Sequence, residues 1–253
     1  MRVPSLGSVL RRVFQALGVL ALLASNAWAG SAHPNLVAWY RMEGNALDSS
    51  GNGNHGTWDG TEAYDSAPFG TGMDFDGSTR EYIDVAGVAA TVNSNSDFSI
   101  SLWVNGTAAD ANVAHGIFRA ASFSGQGTGG IGLQLNGLQT TFGPIPAGRI
   151  TFAMREDAAA YVSTVAAAHG AWTHIVAVHD AGTMRLYRHG TLQGEEPRMS
   201  VSASTYAFVG SQRVTGASAD FTCLIDDVRI YNAALSPSDI RRVMQGMQPL
   251  HRY

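Results

Sequence analysis

Apolar and polar residues alternate along most of the chain with a period of two. The alternation is clearest in four segments, FSISLWV (98–104), IGLQLN (131–136), RITFAM (149–154) and WTHIVAVH (172–179). In the first of these, the even-numbered positions are Phe, Ile, Leu and Val, whereas positions 99 and 101 are Ser. Alternation of this kind is typical of strands with one buried face. The chain is therefore predicted to consist mainly of β-strands.

Short turn signals separate the predicted strands. Asn136-Gly137 is a two-residue hairpin signal, Asp180-Ala181-Gly182 follows the segment WTHIVAVH, and His189-Gly190 is expected to close the next hairpin. Many strands, tight turns and almost no helical periodicity indicate an antiparallel sandwich or barrel. No linker, charge block or solenoid repeat divides the sequence, which indicates one domain.

A single helix is predicted, near the carboxyl end of the sequence. Ser236 can serve as its N-cap, and Pro237 occupies the first helical position. Ile240 and Val243 follow at helical spacing and form a small apolar stripe. We therefore expect one short helix that packs through this stripe.

The first 29 residues have the pattern of a signal peptide. Arg2, Arg11 and Arg12 precede an apolar run over residues 13–24, and the small-x-small sequence Ala27-Trp28-Ala29 follows. The run is too short to span a bilayer comfortably, and no second apolar stretch follows. The sequence thus predicts a cleaved signal peptide (1–29) and one domain (30–253). It predicts export, to a secreted, periplasmic or extracellular location, and no membrane span.

The amino-acid composition limits the classes of binding partner that the chain is expected to have. The sequence contains no lysine, and loss of the three signal-peptide arginines changes the formal net charge from −4 to −7. A mildly acidic chain argues against nucleic acid as a binding partner, because nucleic-acid binding requires clustered basic residues. The single cysteine, Cys223, allows no internal disulfide and lies in an apolar stretch, so it is predicted to be a buried structural thiol.

The polar segment LDSSGNGNHGTWDG has the spacing of a calcium-binding loop. Counted from Asp48, the first, third and fifth positions are Asp48, Ser50 and Asn52, the sixth is Gly53 and the twelfth is Asp59. This is close to the D-x-[DN]-x-[DN]-G-x5-E pattern, in which alternate side chains direct oxygens toward a hard cation. The segment therefore predicts a structural Ca²⁺ ion.

An alternative interpretation of the same loop stays open. The preceding LVAWYRM is strand-like and the following TWDGTEAY has no helical stripe, so an EF-hand is not expected. A loop rich in Asn, Asp and Gly is also typical of turns fastened by their own hydrogen bonds.

A second group of acidic residues interrupts a predicted strand. Asp226 and Asp227 lie within CLIDDVRIYN, which is otherwise mostly apolar. Because side chains alternate along a strand, one of the two must face the core unless a β-bulge intervenes. Arg229 can pair with Asp227, two residues away on the same face. Asp226 then needs another partner, because a buried carboxylate is costly without one, and a cation is the simplest choice.

The order of these motifs resembles a known family, the laminin-G-like jelly-roll domains of the concanavalin A-like lectin/glucanase superfamily. The resemblance extends from Leu36 to about Val243. Its landmarks, in chain order, are LVAWYRMEG with LDSSGNGNHG, GMDFDGSTREYIDV, FSISLWVN, WTHIVAVHDAGTMRLYRHGTLQG and FTCLIDDVRIYNAALSPSDI. The resemblance implies an all-β fold, a two-sheet antiparallel β-sandwich (jelly roll) with a short C-terminal helix.

The resemblance also implies where a cation lies. Related domains often hold calcium at the rim of a sheet, near the junction of the first loop with the last strand. Transferred by motif, that location places Asp48 and Asn52 beside Asp226, with Asp227 as a further candidate ligand.

Catalysis is not expected from the acidic residues. The superfamily includes glucanases and alginate lyases, and its retaining glucanases use an E-x-D-x-x-E strand motif that places carboxylates on one face. Glu156-Asp157 and Glu195-Glu196 are adjacent pairs, and Glu81 and Asp84 are three residues apart, so none reproduces that pattern. There is no G-x-S-x-G or H-E-x-x-H motif either. A polysaccharide hydrolase or lyase is kept as an alternative.

Recognition of carbohydrate or a glycoconjugate is the predicted function. Sugars present apolar faces ringed by hydroxyls, which suit aromatic side chains flanked by amides and carboxylates. Trp58 lies near the end of the candidate calcium loop, Tyr64 follows that loop, and Tyr161 lies near a second possible rim. These three residues are the predicted ligand contacts. A structural or adhesive protein of the cell envelope or extracellular space, making protein–protein contacts, is the other alternative.

Overall fold

The structure is a computed structural model, and it describes ten stretches of the chain. They are residues 33–76, 81–106, 115–121, 130–135, 149–155, 159–164, 170–198, 200–201, 203–210 and 222–250. The predicted signal peptide and the predicted Asn136-Gly137 turn lie outside these stretches.

The described residues form strands and one short α-helix, as the sequence predicts. The strands are β1 (Leu36–Tyr40), β2 (Thr57–Asp59), β3 (Tyr64–Ala67), β4 (Gly70–Asp76), β5 (Tyr82–Asp84), β6 (Phe98–Gly106), β7 (His115–Ala121), β8 (Gly130–Leu135), β9 (Ile150–Arg155), β10 (Ala159–Ser163), β11 (Thr173–Asp180), β12 (Thr183–Arg188), β13 (Thr191–Pro197), β14 (Tyr206–Val209) and β15 (Thr222–Tyr231). A 3-10 turn spans Ala86–Val88, and the α-helix, α1, spans Pro237–Met244.

The strands form two antiparallel sheets. In the first sheet the order is β13-β12-β11-β6-β15-β4-β3, with β1 also paired to β15. In the second sheet the order is β10-β9-β8-β7-β14-β5-β2. The turns predicted at Asp180-Ala181-Gly182 and His189-Gly190 join β11 to β12 and β12 to β13. Ala181 and His189 adopt positive φ angles of 45° and 47° in these turns. The predicted two-sheet fold is confirmed.

The core contains the inward faces of both sheets. In β6 the predicted alternation is confirmed, because Phe98, Ile100, Leu102 and Val104 all belong to one buried cluster with residues of the second sheet. Cys223 is 2% exposed within the same cluster, as predicted. Burial of this apolar surface is the main contribution that favours the folded state.

Helix α1 covers part of the outer face of the first sheet. Ile240 and Val243 of the helix join a second apolar cluster that includes Trp39 of β1 and Tyr231 of β15. The Ser236 hydroxyl accepts a hydrogen bond from the Asp239 amide at 3.2 Å, which confirms the predicted N-cap. Among the helices of the described residues, none has the length and apolar character needed to cross a membrane.

Strand β15 changes its neighbour halfway along its length. Residues 222–225 pair with β4, whereas residues 228–231 pair with β1, and β6 lies along the other edge throughout. At the change of neighbour the register with β6 shifts between Asp226 and Arg229, and Asp227 has a positive φ of 51°. This irregularity is a β-bulge in the sense predicted for the Asp pair. We call it the β15 bulge (residues 226–229).

Gly210 allows a close approach that any side chain would block. Its φ is +85°, and a Cβ atom there would lie 2.2 Å from the Phe75 ring. Phe75 is buried and stacks on Trp58 with ring centroids 5.0 Å apart, so the ring has little room to move. The Gly210→Ala substitution is expected to lower the free energy of unfolding by about 2–5 kcal/mol, from the positive φ and the overpacking together.

Gly44→Ala is the matched control for this prediction. Gly44 has a similar φ of +73°, but nothing lies within 4 Å of its Cβ position, so only the backbone cost of about 1–2 kcal/mol is expected. Chemical denaturation of both variants gives the two free energies. Equal losses would show that the Phe75 contact contributes nothing.

Candidate functional site

Asp226 is a fully buried carboxylate with one oxygen that has no partner. Its side chain is 0% exposed, and Oδ2 accepts a hydrogen bond from the Phe69 amide at 3.1 Å. Among the described residues, no donor reaches Oδ1. Burial, followed by the charge of the neighbouring Asp227, raises the pKa of Asp226 to about 7. A buried and unpaired oxygen of this kind calls for a ligand, because leaving it unsatisfied is costly.

Glu43 approaches the same place from the chain that leaves β1. Its Oε2 accepts hydrogen bonds from the amide and the hydroxyl of Thr71, at 3.2 and 3.3 Å. The Thr71 hydroxyl also donates to the Met42 carbonyl at 2.9 Å. Glu43 is close enough for its charge to raise the pKa of Asp226 as well. Both carboxylates therefore contact the three-residue segment 69–71 at the start of β4.

The donor set at the β15 bulge suits a hard cation. The carboxylates of Asp226 and Glu43 both contact the segment 69–71, and the Thr71 hydroxyl and the Met42 carbonyl lie beside Glu43. Ca²⁺ accepts such mixed oxygen ligands, whereas structural zinc sites need Cys or His. Within the described stretches, no group of three or more His, Cys, Asp or Glu side chains is positioned to hold a metal. Backbone and hydroxyl oxygens would therefore have to complete the coordination of any cation.

Asp227 is already engaged by protein donors. Its Oδ1 accepts from the Trp39 indole at 2.6 Å and from Arg229 Nε at 3.1 Å. Arg229 Nη2 lies 3.0 Å from Oδ2, which confirms the predicted pairing of these residues. Burial raises the pKa of Asp227, and the Arg229 guanidinium opposes that rise. Its role as a calcium ligand stays a prediction, and its contacts indicate a structural pair.

Asp48 organises its own loop. Oδ1 accepts from the amides of Trp39 and Ser50, at 2.9 and 2.8 Å. Oδ2 accepts from the Ser50 hydroxyl at 2.8 Å and the Asn54 amide at 3.0 Å. The amide group of Asn52 donates to the carbonyls of Leu36 and Val37. These contacts favour the interpretation of a turn fastened by hydrogen bonds. Calcium binding by Asp48 and Asn52 stays a prediction.

Half-buried aromatic side chains lie on the outer face of the first sheet beside the bulge. Trp103 is the register partner of Asp226 on the adjacent strand β6. Phe69 meets the Trp103 ring edge-on, with centroids 6.3 Å apart. A Cβ atom on Gly72, the outward position of β4, would lie 3.2 Å from the Trp172 ring. We call Phe69, Trp103 and Trp172 the aromatic patch.

The ligand contacts predicted from the sequence lie elsewhere. Trp58 is half-buried in β2, where it stacks on Phe75 and packs against the core. Tyr64 is half-buried in β3 at the edge of the first sheet, and its hydroxyl contacts the Glu62 carboxylate. Tyr161 belongs to β10, but its side chain lies outside the part of the structure that is described. The role of these residues in binding stays a prediction.

Sequence reasoning missed Glu43 and Trp103. Trp103 follows Ser99 and Ser101 on the polar face of its strand, and a large aromatic residue on such a face was an available signal. Glu43 follows the first strand closely, but no motif connects it to Asp226. Only the pairing of β1 and β4 with the same strand places Glu43 and Asp226 against the same segment, residues 69–71.

Comparisons with known proteins support the fold. A laminin G family model, described as the concanavalin A-like lectin/glucanases superfamily, matches residues 76–241. No curated protein matches the chain.

Solved structures give the same fold at low sequence identity. Domain 4 of AbnA, an extracellular arabinanase of family GH43 from Geobacillus stearothermophilus, was solved with arabinotriose. It is 22% identical, with a TM-score of 0.63, and the match covers 82% of this chain and 97% of that one.

Two toxin structures are also similar. One is from botulinum neurotoxin type C, whose cell entry depends on interaction with two ganglioside molecules (15% identity, TM-score 0.64, 86% of this chain and 52% of that one). The other is the binding domain of Paraclostridial Mosquitocidal Protein 1. It is 15% identical, with a TM-score of 0.63, and the match covers 85% of this chain and 53% of that one. The chain therefore spans about half the length of these toxin chains.

Titration of Asp226 is expected to appear in the pH dependence of stability. In the native protein the pKa is raised to about 7, whereas an Asp in an unfolded chain has a pKa of about 3.9. Between these values the native state binds more protons, so this carboxyl makes the free energy of unfolding fall as pH rises. Measured with chelator present, Asp226→Asn should show a smaller fall than the wild type. Parallel profiles would contradict the raised pKa.

Proposed function

Because the chain belongs to the concanavalin A-like lectin/glucanases superfamily, we propose that it is a non-catalytic glycan-recognition module with a structural calcium ion. One observation carries the proposal. Asp226, a fully buried carboxylate with an unpartnered oxygen, contacts the same segment (residues 69–71) as Glu43 and is the register partner of the half-buried Trp103.

The calcium ion is held by Asp226 and Glu43 in this proposal. An ionised Asp226 needs a positive partner, since Arg229 is already occupied by Asp227. The ion would join the chain leaving β1, the start of β4 and the β15 bulge. It would neutralise the charges of Asp226 and Glu43 and would link these three segments.

The aromatic patch supplies the sugar-binding surface. Pyranose and furanose rings have apolar C–H faces that pack on aromatic rings, and half-buried rings lose little freedom on binding. The Trp103 indole N–H is buried, so the part of its ring that remains exposed would contact the sugar. The solved relatives that bind arabinotriose or interact with gangliosides support carbohydrate as the ligand class.

The proposal includes no catalytic step. Asp226 is 0% exposed, so a glycosidic oxygen could not reach it without rearrangement of the surrounding chain. A general acid must be within hydrogen-bond reach of the atom it protonates. The N-terminal signal peptide and export of the chain stay predictions, and they suit a module that meets extracellular polysaccharide.

Calcium is expected to stabilise the protein through Glu43 and Asp226. A ligand that binds only the native state adds about 2.7 kcal/mol at one hundred times its Kd, which corresponds to about 5–10 °C in melting temperature for a chain of this size. Glu43→Gln and Asp226→Asn should each abolish this increase, and the double variant should lose no more. Thermal melts with calcium and with chelator measure the effect.

Asn52→Ala is the matched control for the calcium experiment. It removes an oxygen of the loop that the sequence alone favours. Retention of the calcium effect in this variant locates the ion at the β15 bulge, and loss of the effect restores the loop as the site. Identical melts of the wild-type protein with calcium and with chelator would refute calcium binding altogether.

Glycan binding is expected to depend on Trp103. The chain from residue 30 onward should be retained by at least one polysaccharide of a broad panel in calcium, without release of reducing ends or unsaturated products. Trp103→Ala should weaken that retention by about tenfold or more, since a stacked aromatic residue contributes about 0.5–1.5 kcal/mol beyond its buried area.

Trp58→Ala distinguishes the aromatic patch from the rim predicted earlier. A loss confined to Trp103→Ala supports the patch, whereas a loss confined to Trp58→Ala assigns binding to the rim. New reducing ends or unsaturated products would identify a hydrolase or lyase. No retention on any glycan would contradict the proposal and favour a protein-contacting role.

A further inference from the structure

A polar groove lies on the outer face of the first sheet, away from the aromatic patch. It has a volume of about 690 Å³, between the β11–β12 turn and the beginning of helix α1. Its polar lining consists chiefly of Asp97, Asp180, Arg185, Tyr187 and Asn232. We call this space the helix groove.

Internal contacts fix the polar side chains of the helix groove. Arg185 donates through Nη1 to Asp180 Oδ2 at 2.5 Å and through Nε to Glu195 at 3.0 Å. Asp97 Oδ1 accepts from the Ala181 amide at 2.8 Å. These groups are therefore oriented before any ligand arrives, which reduces the entropy lost on binding.

Each of these side chains retains a polar atom for a ligand. Asn232 uses its carbonyl oxygen to accept from Asn35, at 3.1 Å, and keeps its amide donors. In the described part of the chain, no hydrogen bond joins a protein group to Asp97 Oδ2, Asp180 Oδ1 or Arg185 Nη2. The groove thus offers two carboxylate acceptors and two donors, a guanidinium and an amide.

Alternating acceptors and donors suit a polyol. A hydroxyl both donates and accepts, so two neighbouring hydroxyls can bridge a carboxylate and a guanidinium or amide. The side chains of Val178 and Tyr187 are buried and add apolar surface to the lining, against which a sugar ring can rest. The groove contains two carboxylates and one guanidinium, and that guanidinium is already paired with carboxylates. The excess negative charge disfavours anionic ligands.

We propose that the helix groove is a second saccharide site, which takes a neutral saccharide through neighbouring hydroxyls. The inference rests on the proposed function for the ligand class, but it concerns a different place. The aromatic patch meets β11 at His174, which packs on Trp103, whereas the groove lies at Asp180. Six residues of extended strand separate them by about 20 Å. Two such sites would strengthen attachment to a polymer by multivalency.

Site-resolved NMR titration of the chain from residue 30 onward tests the inference. The probes are the neutral arabinotriose, xylotriose, cellotriose, mannotriose and laminaritriose, with trigalacturonate as the anionic comparison. We expect saturable shifts of the backbone amides of Ala181, Arg185 and Asn232 with at least one neutral probe and none with trigalacturonate. The indole signal of Trp103 reports the aromatic patch in the same spectra.

Asp180→Asn removes one acceptor charge of the groove while keeping the size of the side chain. It should weaken the groove shifts by about tenfold or more, because hydrogen bonds to charged groups are stronger than hydrogen bonds to neutral groups. The matched control is Glu196→Gln, an exposed carboxylate outside the groove lining, which should leave the titration unchanged. Melting curves establish that both variants are folded.

The outcomes separate the two proposals. Shifts at the Trp103 indole alone support glycan recognition and overturn the second site. Absence of shifts at both places with every neutral probe overturns the groove inference, and the polysaccharide panel then decides the proposed function. Groove shifts that trigalacturonate also produces, or that persist in Asp180→Asn, overturn recognition of a neutral saccharide through these groups.

Discussion

The buried ion pair between Asp227 and Arg229 is the interaction on which the rest of this structure depends. It joins adjacent strands, because Trp39 of β1 donates to the same carboxylate and lies 4.5 Å below the Arg229 guanidinium. Arg229 also donates to the carbonyl of Met247, beyond helix α1. Buried ion pairs often add little net stability, but they can specify one arrangement over others. Here the pair lies within the β15 bulge, where the register with β6 shifts.

The bulge determines what the neighbouring side chains do. In a regular strand Asp226 and Asp227 would face opposite sides, and one carboxylate would enter the apolar core. With the bulge, Ile225 and Val228 face the core and Asp226 lies beneath the chain at Phe69. The extra residue also lies where β15 exchanges β4 for β1, so two chain segments enter the same small space. For this reason Glu43 and Asp226 both contact the segment 69–71.

Much of the fold could be predicted from sequence, because alternation, turn residues and the helix cap are local signals. FSISLWV predicts its buried face without knowledge of any partner strand, and Ser236 predicts its cap from position alone. The candidate site is harder to predict from the sequence. The spacing from Asp48 to Asp59 fits a calcium loop and a hydrogen-bonded turn equally well, since both require inward oxygens. Glu43 carries no local signal, because its relation to Asp226 exists only through strand pairing.

The pairing of the first strand with the last also sets an order of events during synthesis. Trp39 and Asp227 are 188 residues apart, so their contact closes almost the whole described chain into a loop. Contacts of such long range form slowly, and this one cannot form before the final strand has been made. The contacts among Trp39, Asp227 and Arg229 at the β15 bulge therefore form late in folding. A chain truncated before β15 would keep many local hairpins but would lack the junction that unites them.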